Sequence, residues 1–512
     1  MRSTISSNFY SWARLISGAA LGVLLAAPVV QANGEKRVTV PIALPFQQQA
    51  QQQNSAAASS LGAEQNSYAP KIQPMTFTQS PPVVVTSAAA SSAAAVAMVS
   101  SSAKSVAAFA ATSATAAPVA AKKPPPRPVA INIPLVTTAP IKAPRYPVGH
   151  PEAFVPEFED YVAKKIAPFV PGVAVVIVSG GQIKSLNGYG VRRAGTRETV
   201  TPDTVFRLAS LSKVFAATAA SVLVSEGRIN WETTVTAVLP DVTFSNARYS
   251  KQLTLRHILS QSSGLPRHTY SHYIDAGKSY ADSVARLRYV NFVCPPGKCF
   301  AYQNVPYSLA GDMIKKKSGM SFEQYTEEKV FDPLGMRTAS YGLASYNASP
   351  NRAAPHINDG KRWIPTAVVG NWYRVAPAAG VNASIVDMSR FLLAQMGKRQ
   401  DVLPLAVLNP IQSRVTKNTP AQNYYGVRKA VDNTAYGMGL RVFDYGRYKN
   451  FIHHGGHVKG FRTEMVFNRD LQIGMVFLSN SETRLARDVI FKFLDSYERA
   501  QVAAREAAKK KK

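Results

Sequence analysis

A change of composition near residue 145 divides this chain. From Gly34 to Arg145 it consists of runs such as QQQ, SAAASSAAAVA and KKPPPRP, with neither the 3.6-residue period of a helix nor the alternation of a strand. Side chains this small or polar cannot bury enough apolar area to offset the entropy of ordering them, so residues 33–145 are expected to form a disordered tether. Its ~110 residues would reach on the order of 60 Å as a flexible coil, and the Ala/Ser runs lack the apolar stripe of a docked helix. Folding is thereby confined to residues 146–503, enough for one layered domain, with residues 504–512 as a basic tail.

Before the tether, Arg2 and Arg14 precede an uncharged stretch, Leu15 to Val30, which ends at Val30-Gln31-Ala32. A positive start, an apolar run and a small-residue cleavage site read as a secretory signal over residues 1–32. A retained anchor stays open as the alternative, because the run sits at the lower edge of spanning length. Either reading exports the remainder to the periplasm or cell envelope. The net charge of +29, from 59 Lys and Arg against 30 Asp and Glu, makes anionic wall polymers or lipids plausible neighbours. Export argues against nucleic acid. Most of that charge lies beyond residue 145, since residues 1–145 hold 11 basic and 2 acidic side chains. Two cysteines, Cys294 and Cys299, exclude a disulfide scaffold and a four-ligand zinc site, but they can form one local bridge.

The folded part has a mixed pattern. Phe154, Phe158, Tyr161 and Val162 recur at helical spacing, predicting a helix that ends before Pro168. Val173 to Val178 predicts a strand, and Ser-Gly-Gly turns it into a second strand through Gly190. An Ala-rich helix is expected from Leu211 to Glu226, and others around 255–260, 281–288, 307–317 and 385–395. Strands return near the end (MVFNRD, QIGMVFLSN), before a helix from Arg484 to about Glu506. Strands from both ends of the domain with helices inserted between them indicate an α/β (α+β) layered architecture. No repeat of 20 to 50 residues suggests a solenoid or propeller.

Three segments can carry chemistry. In Phe206-Arg207-Leu208-Ala209-Ser210-Leu211-Ser212-Lys213, a helix starting near Ser210 puts Ser210 and Lys213 one turn apart on one face. A hydroxyl needs a neighbour to take its proton, and a desolvated lysine with a lowered pKa can do so. The helix start would aim backbone N–H groups at a developing oxyanion. Tyr302 and Asn304, two apart in a loop, can face one cleft as proton carrier and amide-recognising group. In His454-Gly455-Gly456-His457, the glycines would let a substrate backbone approach, and free N–H groups could supply the second oxyanion donor.

Ser-x-x-Lys, Tyr-x-Asn and His-x-Gly in this order resemble the serine β-lactamase and penicillin-binding-protein superfamily, nearest to class C β-lactamases, related D-alanyl-D-alanine carboxypeptidases and esterases. Flanking text agrees: Leu253 to Leu259 leading to Ser263-Gly264-Leu265-Pro266, Asp332-Pro333-Leu334-Gly335-Met336, and Tyr436-Gly437-Met438-Gly439-Leu440. The resemblance implies a β-lactamase/transpeptidase-like fold, an antiparallel sheet flanked by helices with an all-helical region. It also implies Ser210 as nucleophile, Lys213 as its proton partner and Tyr302 as general base or acid. Asn304 would position the substrate amide, His454 and Gly456 would form the far wall, and the N–H groups of Ser210 and His457 would make the oxyanion hole. No cofactor or metal is implied. Position 454 departs from the lactamase pattern, where a lysine stands, and a neutral imidazole holds a carboxylate less firmly.

The resemblance points to D-amino-acid-terminated peptidoglycan peptides or β-lactam-like amides as substrates, with small acyl esters as the alternative. A non-enzymatic basic envelope-binding protein is the reading from a different class. Other features read as structural: His268 and His272 lack an intervening Glu and a third ligand, Lys315 to Lys317 suit a helix C-terminus, and Lys509 to Lys512 read as a frayed tail. A Cys294–Cys299 bridge would close a short loop just before Tyr302.

Overall fold

A computed structural model describes residues 139–417, 419–420, 422–426 and 428–511; the segments read as signal and as tether, as far as residue 138, lie outside the described residues. Its framework is an eight-stranded sheet. In chain order the strands of the fold are β1 (Gly172–Ser179), β2 (Gln182–Gly190), β3 (Phe206–Arg207), β4 (Ser340–Tyr341), β5 (His356–Asn358), β6 (Trp363–Pro365), β7 (Val381–Ala383), β8 (Thr416–Lys417), β9 (Val431–Tyr436), β10 (Arg441–Tyr445), β11 (Tyr448–Val458), β12 (Phe461–Asn468) and β13 (Ile473–Ser479). The large sheet runs β2-β1-β13-β12-β11-β10-β9-β8, with every neighbour antiparallel. β3, β7 and β4 form a small second sheet, and β5 pairs with β6.

All eight residues of β1 are buried, which explains a continuous apolar run where one solvated face would have produced alternation. Val173, Val175 and Ile177 point into one core, and Ala174, Val176 and Val178 into another. The first core is closed by α1 (Phe154–Tyr161) and the last helix, α6 (Val489–Lys510), whose Phe493 meets the rings of Phe154 and Phe158 at 5.7 and 5.2 Å. The second holds α2 (Ser212–Ser225), α3 (Val305–Ser318), α4 (Ala376–Ala379) and α5 (Ile385–Gln395). α2 is apolar almost all round because protein surrounds it.

Boundaries differ locally from expectation. After α1 the chain continues through a wide turn, Val162–Ile166, and a tight one, Ala167–Phe169, which accepts Pro168 in its first positions where no N–H is required. The last helix continues to Lys510, taking in most of the segment read as a basic tail. Residues 139–145, read as tether, lie on the fold. Ile141 exchanges two backbone hydrogen bonds of 2.8 Å with Leu186, and the Ala143 N–H donates to Glu159 at 2.8 Å. The physical reason is that β2 is an edge strand with backbone groups to satisfy, and an extended segment can pair with it whatever its composition.

Candidate active site

Ser210 stands in a single 3₁₀ turn, Ala209–Leu211, that leads directly into α2. Ala209 has φ +50°, a left-handed conformation unfavourable for a residue with a Cβ, and it sharpens the bend at which Ser210 is presented. β7 holds this bend: the Leu208 N–H donates to Val381 O at 2.9 Å, and the Val381 N–H donates to Ser212 Oγ at 2.9 Å.

Lys213, one turn on, is fully buried. Its Nζ lies 3.3 Å from Ser210 Oγ, 2.8 Å from Asn304 Oδ1 and 3.1 Å from Ala378 O. A carboxamide oxygen and a backbone carbonyl only accept hydrogen bonds, so a neutral amine must give both its protons to Asn304 and Ala378. The lone pair is then left facing the Ser210 hydroxyl, which alone of the three can donate. Burial, opposed by Tyr302 and helped by the nearby Arg441 charge, lowers the Lys213 pKa from its ordinary value and favours that neutral form.

Tyr302 and Asn304 are brought to the same place. The Lys213 Nζ sits 4.8 Å from the Tyr302 ring centre, and Asn304 also donates from Nδ2 to Ser271 Oγ at 3.2 Å, which fixes its amide orientation. The preceding loop is tied down by the Cys294–Cys299 bridge, with Cα atoms 6.3 Å apart, and by Gly297 N–H to Ser262 O at 2.7 Å. Gln303 N–H donates to Gln261 Oε1 at 2.6 Å.

β10 pairs with β11 only as far as His453, so 454–458 has β12 on one side and an open edge on the other, and His457 lies in this stretch. Two expectations for it need correction. Gly456 does not make room for a substrate: a Cβ there would meet Leu208 O at 2.1 Å and Thr463 Oγ1 at 2.4 Å, so the space belongs to the turn that carries Ser210. His454 is buried with both ring nitrogens engaged, Nδ1–H to Gly455 O at 2.8 Å and Nε2 to Tyr436 OH at 3.1 Å. Burial, then the charges of Arg441 and Lys213, push it well below the usual imidazole range, so it cannot serve as a cation. Its neighbour His453 is likewise internal, with Nε2 2.9 Å from Glu464 Oε2.

The sequence reading missed the cation that is present. The Arg441 guanidinium lies 5.7, 4.2 and 5.6 Å from the ring centres of Tyr302, Tyr424 and Tyr436, and its Nε is buried without a hydrogen-bond partner among the described residues. Its one signal was position, immediately after Gly437-Met438-Gly439-Leu440. His268, set aside as half of a metal pair, also borders this site. Its ring lies 5.8 Å from that of Tyr302, and its backbone N–H donates to Tyr302 O at 2.9 Å. Among the described residues no three His, Cys, Asp or Glu side chains gather as a metal site.

A sequence model of the beta-lactamase family matches residues 158–492. The chain belongs to the beta-lactamase family. Within it, the chain is similar to the Unguisins hydrolase ungD' of Aspergillus campestris, 27% identical over 322 residues, covering 61% of this chain and 59% of that protein. It is also similar to penicillin-binding protein 4 of Amycolatopsis lactamdurans, 30% identical over 182 residues, covering 35% of this chain and 46% of that one. The match thus spans less than two thirds of these relatives' own length. In fold it is similar to the octameric penicillin-binding protein homologue from Pyrococcus abyssi, with TM-score 0.57, 23% identity, and coverage of 66% of this chain and 77% of that chain. The chain has the fold of the beta-lactamase-type serine hydrolases.

Proposed function

We propose that this family member is an exported acyl-transfer hydrolase that uses Ser210 as nucleophile and acts on peptides ending in a D-amino acid, or on β-lactam-like amides. The reading rests on Lys213, buried and held so that its neutral form can accept only from Ser210. In the proposed step the Ser210 proton passes to Lys213 Nζ while Oγ bonds to the carbonyl carbon. The C–N bond then breaks as Tyr302 hands a proton to the departing amine and regains one from the Lys213 ammonium, and water later cleaves the acyl-enzyme. The N–H groups of Ser210 and His457 would hold the oxyanion.

Arg441 favours a substrate with a free carboxylate over a neutral ester, because it supplies the charge that His454 lacks. Esterase activity on small acyl esters remains the second reading, supported by that same neutral position 454. A fluorescent penicillin or a fluorophosphonate should add one label, read by intact mass and absent in Ser210→Ala. Absence of label from both reagents would overturn the hydrolase reading. Comparing turnover of a D-Ala-D-Ala peptide with that of a p-nitrophenyl ester separates the two substrate classes, and Arg441→Ala should weaken the peptide selectively.

A further inference from the structure

Outside the catalytic cleft a second depression of about 410 Å³ is lined by Arg192, Arg193, Arg352, Tyr346 and Thr366, among others. Its charge is unbalanced. Glu198, its carboxylate, pairs with Arg192 at 3.2 Å, and Arg192 also donates to Pro350 O at 2.7 Å. Arg193 and Arg352 have no carboxylate partner among the described residues, and Arg352 donates from Nη1 to Ser349 O at 2.8 Å, which leaves Nε and Nη2 for a ligand. Thr366 Oγ1 is buried with no hydrogen-bond partner among the described residues.

Next in the chain to the lining residue Val368, Val369 accepts from a further guanidinium, that of Arg207. Arg207 is 2% exposed, donates from Nη1 to Val369 O at 3.3 Å and stacks 4.2 Å from the Tyr373 ring centre, while its Nε and Nη2 are buried without a hydrogen-bond partner among the described residues. Its charge is felt at Tyr346, which lines the depression. Buried polar atoms are ordinarily satisfied, and a hydroxyl of this kind beside unopposed guanidiniums is complementary to an anionic hydrogen-bond acceptor. An apolar occupant would desolvate the arginines without compensation, and a cation would be repelled.

The depression is also preformed. Val205 N–H donates to Asn351 O at 2.8 Å and Ala353 N–H donates to Val205 O at 2.9 Å, stitching the Arg352 segment to the chain that enters β3. We infer that this depression is a binding site for a phosphate-class oxyanion, held by the forked donors of Arg193 and Arg352 and the Thr366 hydroxyl. Guanidinium forks match the tetrahedral oxyanion in geometry as well as charge. The shared chemistry is a phosphoryl group, either free phosphate or a phosphodiester of an anionic polymer.

Isothermal titration of the full chain with inorganic phosphate, at ionic strength held constant with sodium chloride, should show one saturable site. Arg193→Gln, Arg352→Gln and Thr366→Val should each weaken it, the arginine changes by about tenfold, as expected for loss of a charge-assisted hydrogen bond. Arg193 and Arg352 are exposed, and ester turnover without phosphate should be unchanged in their variants. Should a Gln variant melt early, Arg352→Lys, which keeps the charge and loses the fork, reads the same contact. Competition by a poly(glycerol phosphate) would assign the site to polymer phosphate, and its failure to compete would assign it to the free ion. No saturable binding of either probe, or unchanged affinity in both arginine variants, overturns the inference.

Discussion

Adding one methyl group at Gly456 separates the two explanations of that glycine. If it served substrate approach, Gly456→Ala would hinder large substrates and spare the protein. The structure gives another outcome, because the new Cβ would lie 2.1 Å from Leu208 O, 2.4 Å from Thr463 Oγ1 and 3.2 Å from Ala209 Cβ. The nearest of these is backbone, and Leu208 O already accepts from Thr463 Oγ1 at 3.0 Å, so neither atom can swing aside independently. Relief requires the Leu208–Ala209 bend to move by on the order of 1 Å, carrying Ser210 away from Lys213. Overpacking of this kind costs about 1–3 kcal/mol, a fall of roughly 1–4 °C in melting temperature for a domain of this size, whereas an ångström of misplacement lowers reaction rates by ~100-fold. The measurement is the second-order rate of acylation by the fluorescent penicillin, set against thermal melting of the same variant. A rate within about twofold of the parent protein would refute the packing argument.

Two more outcomes follow from the same geometry. Lys213→Ala should lower acylation by about 1,000-fold or more, and in the parent protein the acylation rate should rise with pH to a plateau reached below the ordinary lysine value of 10.5, since burial lowers this pKa. The linkage has the same sign: between the lowered value and 10.5 the unfolded chain holds the extra proton, so urea denaturation should show stability increasing with pH across that window, with the Lys213→Ala variant lacking this contribution. Reducing the Cys294–Cys299 bridge, or replacing both residues by Ser, should remove about 2 kcal/mol of stability and slow acylation through the Tyr302 loop; equal acylation rates with and without the bridge would show that the hydrogen bonds to Gln261 and Ser262 hold the loop unaided.

What could be read in the sequence was whatever leaves a side-chain pattern. Six consecutive β-favouring residues marked β1, and the Ala-rich run up to Gly227 marked α2 to within a residue or two at each end. Ser210, Lys213, Tyr302 and Asn304 were legible because spacing and order carry them together. The Lys213 acceptor at Ala378 was not, because a backbone carbonyl has no residue signature. Arg441 looks in sequence like any solvated arginine after a glycine turn, and its meaning appears only when three tyrosines surround it. The neutral imidazole at 454 was expected, but its burial against Tyr436 and Gly455 O was hidden, because folding brings those partners to it. Residues 139–145 misled through composition, since their partner on β2 lies far along the chain.

The pairing of β1 with β13 also has a consequence for how this molecule comes into being. Val173 lies opposite Ser479, so the sheet, one strand in from its β2 edge, joins residues some 300 positions apart. As the chain emerges from the ribosome, the β1–β2 hairpin has nothing to lie against on its inner side until β13 has been made, and the core beneath it stays open until α6 follows. At roughly 5–20 residues per second this interval lasts on the order of 15–60 s. Closing so long a loop is slow by nature, and throughout the wait an apolar strand shows a bare edge. Nascent chains stopped before Phe461 should therefore be protease-sensitive along their whole length, with protection arriving in one step once the last helix is out.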